Sequence, residues 1–346
     1  MNEQPEVKTG SRPALVLLAV LLVVVLTLLF VWLAHRGNVL QRQSEAQVAA
    51  QTEAAQQLQQ PGPAPSPWQL QSRVPVALQE PTAIACSGDR VYVVGGESAT
   101  SDALLVCDRS LKPLSRVALP GMPRGVAASN DAILTAFGAR VARLDASGKA
   151  LSDFGVAGER VRLSSVLPVG QELWVADSGQ RAVWRYDASG KLLGKVGAPD
   201  PATGYPGLLV PSPHLDLALT PTGNVLINNP GKLRVETWSP QGKLTGQFGK
   251  PGMGDDGFAG CCNPIAVAAL PDGRVVTAEK GLVRVKVYRA DGTFESVVAA
   301  PPVLSRGVAS LDLATTADGA ILVLDPRAKM ILTFTENKAS RPQGSH

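Results

Sequence analysis

Residues 68–336 predict an all-β fold, a six-bladed β-propeller, and three observations support this assignment. Apolar and polar residues alternate in runs of four to seven residues bounded by Gly, Pro, Asn and Asp, which is typical of strands and turns. No segment of this region has the sustained 3.6-residue period of a helix. The runs also recur in the same order six times, which indicates one small sheet repeated along the chain.

Each repeat contains a middle strand that ends in a small polar cluster, as in LWVADSGQ (173–180), and a third strand that ends in a turn such as DASGK. The middle strands begin at positions 91, 133, 173, 225, 275 and 321, so successive repeats lie 40 to 52 residues apart. This spacing fits propeller blades of four strands. One small sheet cannot bury both faces, whereas six arranged radially cover one another.

The sixth repeat is one strand short of a complete blade. Only two strands follow its innermost strand before the charged C-terminal residues. The run QLQSRVPVAL (69–78) precedes the first blade and can supply the missing outer strand. We therefore predict that this N-terminal run closes the ring, which leaves no unpaired sheet edge.

The residues before the propeller predict a membrane anchor and a spacer. Residues 14–34 are uncharged and long enough to cross a hydrocarbon core of roughly 30 Å. They lead into no signal-peptide cleavage site, which favours an uncleaved signal anchor over a cleaved signal peptide, with 1–13 as a cytoplasmic tail. Residues 35–60 predict a solvated helical stalk, and 61–67 a Pro-rich linker. Residues 337–346 form a flexible tail in this scheme.

Charge restricts the location and the partners. Lys and Arg are nearly balanced on the two sides of the span, so the positive-inside rule alone does not fix its orientation. A short tail before a large domain favours the N-terminus inside, which places the propeller on the extracytoplasmic side of the inner membrane, in the periplasm of a Gram-negative cell. The stalk has a weak coiled-coil pattern that would allow self-association. A formal charge of +4 without a basic block argues against a nucleic-acid partner.

Three stretches resemble the NHL-repeat propellers: GQFGKPGMGDDGF (246–258), NPIAVAALPDGRVVTAEKGLVRVKVYRADGTF (263–294) and LWVADSGQRAVWRYDASGKLLGKVG (173–197). With its anchor and its Gly-Cys-Cys-Asn-Pro loop, the chain looks like a membrane-anchored bacterial member of that family. The resemblance implies the fold but no single function, because such propellers include protein- and RNA-binding modules, lyases and metal-dependent lactonases. The chain departs from the repeat at Cys261-Cys262 and at Ala278-Glu279-Lys280.

The adjacent cysteines Cys261 and Cys262 are the most unusual candidate site. In an oxidising compartment the two thiols can close a strained eight-membered disulfide ring that is relatively easy to reduce. Three interpretations stay open: a purely structural pair, a redox or ligand-contacting pair, and a metal site. Zinc prefers four ligands, and two sulfurs with one histidine do not complete that set. Cys86 and Cys107 are predicted to be free thiols, because another strand separates them.

Two aspartates are predicted at the channel entrance. Alignment of the innermost strands places six residues at equivalent positions around the axis: Ala83, Gly125, Ser165, Asp216, Ala266 and Asp312. Asp216 and Asp312 could share a divalent cation, although metal-dependent propeller hydrolases gather more protein ligands. Alternatively, each carboxylate accepts backbone N–H bonds where its strand begins. His214 precedes this ring and is either a rim residue beside the cysteine pair or a solvated loop residue.

Two function classes follow from these candidates. The first is a non-enzymatic binding or scaffold module for a protein or an exported ligand, with no cofactor. The alternative is an enzyme, either a metal-dependent hydrolase or lyase at the axial channel or a redox protein that uses the adjacent cysteines. The chain contains no phosphate loop, no nucleophile elbow and no haem-attachment motif. Arg181, Lys280, Arg284 and Lys286 are predicted to be solvated residues of the outer blade edges.

Overall fold

The computed structural model describes residues 66–129 and 132–337 together with Leu26, Thr27, Leu29 and Trp32. The predicted anchor, stalk, linker and tails lie outside the described residues, apart from these four and the residues at the boundaries of the propeller. Within the described part of the chain, no helix combines the length and apolarity that a bilayer crossing needs. The propeller lies in the second of two units of the chain, Pro63–His346.

Six four-stranded antiparallel sheets confirm the predicted six-bladed propeller. Most blades are formed by four strands consecutive in sequence, ordered from the channel outward. The strands of blades one to three are β2 (Glu80–Ser87), β3 (Arg90–Gly96), β4 (Asp102–Asp108), β5 (Pro113–Leu119), β6 (Pro123–Ala128), β7 (Ile133–Phe137), β8 (Arg140–Leu144), β9 (Ala150–Gly155), β10 (Leu163–Val169), β11 (Glu172–Asp177), β12 (Ala182–Asp187) and β13 (Leu192–Val196). Blades four and five contain β14 (Leu217–Leu219), β15 (Val225–Asn229), β16 (Arg234–Trp238), β17 (Leu244–Phe248), β18 (Ala266–Ala269), β19 (Val275–Glu279), β20 (Arg284–Tyr288) and β21 (Phe294–Ala299), with a 3-10 turn at Pro230–Lys232.

Blade six is completed by the N-terminal strand, as the sequence predicts. Its strands are β22 (Asp312–Thr315), β23 (Ile321–Asp325), β24 (Met330–Glu336) and, outermost, β1 (Trp68–Pro75). The antiparallel register pairs Trp68 with Glu336 and Pro75 with Met330. The closing strand therefore begins one residue before the predicted run and ends three residues before its end. The C-terminal blade thus has no open edge at β24.

A buried ionic cluster holds the start of the closing strand. The Arg274 guanidinium donates to Glu295 Oε1 at 2.6 Å and to Glu336 Oε2 at 2.7 Å, and it lies over the Trp68 ring at 5.4 Å. Ser66 Oγ also donates to the carbonyl of Val297 at 2.5 Å. These contacts join blade five to both outer strands of blade six.

The middle strands are buried on both faces because neighbouring blades cover them. All five residues of β7, β15, β19 and β23 are buried. This explains why these strands are nearly continuous apolar runs. All five residues of β20 are buried as well, so the prediction that Arg284 and Lys286 lie on a solvated edge is wrong. The chain between β17 and β18 contacts these side chains through its backbone carbonyls.

Candidate functional site

The innermost strands surround an axial channel with a volume of about 530 Å³. Each blade begins its innermost strand at the same end of this channel, and we call this end the mouth. The antiparallel order of each blade places the turns between its second and third strands at the mouth, and the turns between its third and fourth strands at the far end. Arg124, Arg162 and His214 border the channel where β6, β10 and β14 begin.

Asp216 and Asp312 both line the channel and both bind the next blade. Val267 N–H donates to Asp216 Oδ2 at 2.9 Å, and Ile84 N–H donates to Asp312 Oδ2 at 2.7 Å. Asp216 Oδ1 also accepts the N–H of Leu217 at 2.8 Å. The geometry therefore shows the backbone-accepting role that was one of the two predicted alternatives. Asp312 links blade six to blade one at the point where the ring closes.

The two carboxyl groups share an electrostatic environment. Burial raises the pKa of Asp216 to about 6, against hydrogen bonds from Val267 and Ser165 that lower it. Burial and the negative charge of Asp216 raise the pKa of Asp312 well above its ordinary value. Within the described ranges, no group of three or more His, Cys, Asp or Glu side chains has metal-binding geometry. Each carboxylate already accepts backbone donors, so a bound cation would have to share its oxygens with those N–H groups.

His214 lies at the mouth in a cationic environment. Burial lowers the pKa of His214 to about 4, the charges of Lys280 and Arg162 also lower it, and a hydrogen bond with the Ala309 backbone opposes this shift. Of the two positions predicted for His214, this one agrees with a rim residue beside the cysteine pair. The charge of Lys280 acts on both His214 and Cys262. The imidazole is therefore neutral at physiological pH.

Titration of His214 is a direct probe of this environment. It is the single histidine between residues 66 and 337. We expect its NMR signals to titrate near pH 4, and Lys280→Met to raise that pKa. Because the unfolded chain binds this proton near pH 6.5, His214 makes the fold less stable as the pH falls from about 6.5 towards 4. Titration of wild-type His214 at pH 6 or above would contradict the described position.

The adjacent cysteines lie beside the mouth, in the segment that leads into β18. The two Sγ atoms are 3.0 Å apart, with Cys261 exposed and Cys262 half-buried. Burial and the contact with Cys261 raise the pKa of the Cys262 thiol, while the positive charge of Lys280 lowers it. Asn263 holds the segment in place, since its Nδ2 donates to the carbonyls of Ala259 at 2.6 Å and Lys280 at 3.0 Å.

Cys86 and Cys107 are free thiols, as predicted. Both are paired with Val91, Cys86 from β2 and Cys107 from β4, so the middle strand separates them. Burial raises the pKa of Cys86 to about 12 and that of Cys107 to about 11. These two thiols are therefore much less reactive than an exposed cysteine.

The mouth carries a set of unpaired cations. Within residues 66–129 and 132–337, the side chains of Arg124, Arg162 and Lys280 form no ion pair. Arg124 and Arg162 are exposed, and Lys280 is half-buried. Lys280 and Arg181 therefore lie in turns at the mouth instead of the predicted outer edges, although Arg181 is exposed as predicted. The three cations Arg124, Arg162 and Lys280 are therefore available to an anionic group at the mouth.

A buried ionic cluster in blade five supports the cysteine segment, and the sequence analysis missed it. Glu279 Oε1 accepts Lys286 Nζ at 2.7 Å and Arg284 Nη2 at 2.9 Å, and Glu279 Oε2 accepts the N–H of Ala259 at 2.8 Å. Lys286 Nζ also donates to the carbonyl of Gly257 at 2.7 Å. Burial lowers the pKa of Lys286 to about 8, against the raising effect of Glu279. The cluster thus fixes the chain just before Cys261.

Blade four contains the same arrangement with different charges. Glu236 takes the place of Lys286, and Asn229 takes the place of Glu279. Arg234 Nε donates to Glu236 Oε1 at 2.9 Å, Asn229 Nδ2 donates to the same oxygen at 2.8 Å, and Tyr205 OH donates to Glu236 Oε2 at 2.8 Å. Aligning the fourth and fifth repeats would have shown this exchange, because the carboxylate lies on the third strand in blade four and on the second strand in blade five.

Comparison with known proteins supports the fold. No family model matches the chain, and no curated protein matches it. Among solved structures, a streptogramin B lyase is 12% identical with a TM-score of 0.53, and covers 78% of this chain and 98% of its own. A selenomethionine-substituted virginiamycin B lyase from Staphylococcus aureus is 10% identical to this chain, with a TM-score of 0.55. The match covers 78% of this chain and 99% of the lyase. At these identities the likeness shows that this chain is a six-bladed β-propeller.

Proposed function

We propose that the propeller is a binding module that takes an acidic ligand at the mouth of its channel. The observation behind this proposal is that Arg124 and Arg162 line the mouth of an open channel and that Lys280 acts on His214 beside them, while none of the three has an ion-pair partner among the described residues. Unpaired cations around a cleft focus the field and favour anionic groups. An acidic segment of a partner protein is the ligand that fits an open, cationic rim best.

The carboxylates of the channel support a binding role over catalysis. Asp216 and Asp312 are occupied by backbone donors from neighbouring blades, which is a structural use of these groups. A divalent cation at this pair would have to compete with those donors. We therefore propose no cofactor for the binding function.

The predicted anchor gives this function a location. We propose that residues 14–34 hold the chain in the inner membrane, with the stalk and linker carrying the propeller on the periplasmic side. Tethering raises the effective concentration of the domain near membrane complexes, so modest affinity for a protein partner is sufficient. We also propose that the stalk allows self-association and that the protein has no nucleic-acid partner.

A propeller enzyme is the second candidate, because both solved structures named above are lyases. In this alternative Asp216 and Asp312 hold a divalent cation for a hydrolase or lyase. Elemental analysis of the purified chain separates the two candidates. A stoichiometric divalent metal that disappears in Asp216→Asn and Asp312→Asn would favour the enzyme.

Capture of partners from native membranes tests the binding function. The rim variant Arg124→Ala, Arg162→Ala, Lys280→Ala removes three positive charges at the mouth. The control variant Lys149→Ala, Lys191→Ala, Lys243→Ala removes three charges from exposed turns at the far end. We expect the partner set to be retained by the control and lost by the rim variant. Equal retention by both variants would contradict a binding surface at the mouth.

A further inference from the structure

The cysteine pair has the geometry of sulfur–sulfur chemistry. The two Sγ atoms approach to 3.0 Å, with Cys261 exposed to solvent. A tetrahedral zinc site with Zn–S bonds of about 2.3 Å would separate its sulfurs by about 3.8 Å. No third ligand joins the pair among the described residues. The pair is thus too close for a shared zinc ion and is well placed to form a bond between its own sulfurs.

We propose that Cys261 and Cys262 are a dithiol–disulfide pair that exchanges with anionic disulfide compounds at the mouth. The exposed Cys261 thiolate attacks one sulfur of the substrate disulfide, forms a mixed disulfide and releases one thiolate. Cys262 then attacks the Cys261 sulfur, closes the bond between the two cysteines and releases the second thiolate. The substrate gains two electrons, the cysteine pair loses two, and the protons of the two cysteine thiols go to the released thiolates.

The surroundings assign different roles to the two sulfurs. Cys261 is the accessible sulfur, so it meets the substrate first. Cys262 is half-buried beside Ser212, which places it to resolve the mixed disulfide. The Asn263 side chain and the Glu279 cluster hold the chain on either side of the pair. The charge of Lys280 opposes the burial that raises the pKa of Cys262.

The preference for anionic disulfides rests on the cationic mouth of the proposed function, whereas the exchange itself does not. Lys280 acts electrostatically on both Cys262 and His214, so the pair lies within the positive field. Such a field accelerates the approach of anions and slows that of cations, and added salt removes the difference. Three probes with the same reactive bond separate these effects: oxidised glutathione (anionic), hydroxyethyl disulfide (neutral) and cystamine (cationic).

The test uses the full chain, reduced and then mixed with each probe. After quenching by alkylation, mass spectrometry follows the peptide that contains both cysteines. We expect the loss of two hydrogen atoms from this peptide with all three probes, and restoration by dithiothreitol. Cys262→Ser should stop at a mixed disulfide on Cys261, and Cys261→Ser should react at least about tenfold more slowly. Cys86 and Cys107 should stay reduced in every sample, which reports an intact fold.

The outcomes separate the two parts of the proposal. Absence of the internal disulfide with the neutral probe, or of the trapped adduct in Cys262→Ser, would overturn the exchange. At low salt we expect oxidised glutathione to react about tenfold faster than cystamine, and this ratio to fall towards one in about 1 M salt. Lys280→Gln should reduce the ratio, and Lys243→Gln should leave it unchanged. Equal rates at low salt would overturn the anionic preference of the cysteine pair, whereas loss of acidic-peptide binding would overturn the cationic mouth itself.

Discussion

Replacing Glu279 with alanine is expected to lower the free energy of unfolding by about 3–5 kcal/mol. Lys286 would then lie buried in blade five without its ion-pair partner, and Arg284 would keep only its contact with the half-exposed carboxylate of Asp255. The N–H of Ala259 would also lose its acceptor, which loosens the segment before Cys261. Urea unfolding of the chain from residue 66 measures this change.

Blade four supplies the matched rescue variant for this prediction. Glu279→Asn with Lys286→Glu copies the arrangement of Asn229, Arg234 and Glu236 into blade five. We expect each single substitution to destabilise the fold strongly and the double variant to recover at least about half of that loss, which is a coupling between contacting residues. Additive losses in the double variant would show that the two clusters are not equivalent.

Removal of the closing strand is expected to have the second large effect. A chain that starts at residue 80 lacks β1 and also Val76 and Leu78, both of which pack in the core between blades six and one. Ile331, Leu332 and Phe334 of β24 would lie next to an unpaired sheet edge, and such an edge promotes aggregation. Differential scanning calorimetry and light scattering should show a lower unfolding temperature and aggregation, compared with a chain that starts at residue 66.

A synthetic peptide of residues 66–79 is the control for this truncation. Added to the chain that starts at residue 80, it can restore the pairing of Trp68 with Glu336 and the contact of Trp68 with Arg274. We expect solubility and the unfolding temperature to recover in proportion to bound peptide. Equal solubility and heat resistance of the two chains without peptide would contradict closure by β1.

Much of the fold is predictable from the sequence because each blade repeats local signals. Alternating apolar runs and turn residues place the strands, and the missing outer strand of blade six points to the run before blade one. The ring position of Asp216 and Asp312 is also predictable, because both accept an N–H from the equivalent residue of the next blade. The local sequence pattern is sufficient to place a residue wherever neighbouring repeats use the same strand order and the same contacts.

The buried ionic cluster that holds the cysteine segment is not predictable from the same pattern. The alternation in Arg284, Val285, Lys286 and Val287 identifies the two faces of a strand but not what covers each face. In the structure the segment between β17 and β18 binds these cations through its carbonyls, so the polar face is buried. Such long-range coverage depends on how a loop folds back on its own blade. Lys280 differs from its predicted position for another reason, because it lies in the turn between β19 and β20, which the antiparallel order of the blade places at the mouth.

The affinity of the mouth for an acidic peptide tests the proposed function most directly. A glutamate-rich peptide is titrated into the wild-type chain, the rim variant and the far-end control at low and high salt. We predict binding by wild type and by the control, a loss of at least about tenfold in the rim variant, and weakening with salt. Equal affinities for all three proteins would show that the mouth is not the surface that recognises acidic ligands.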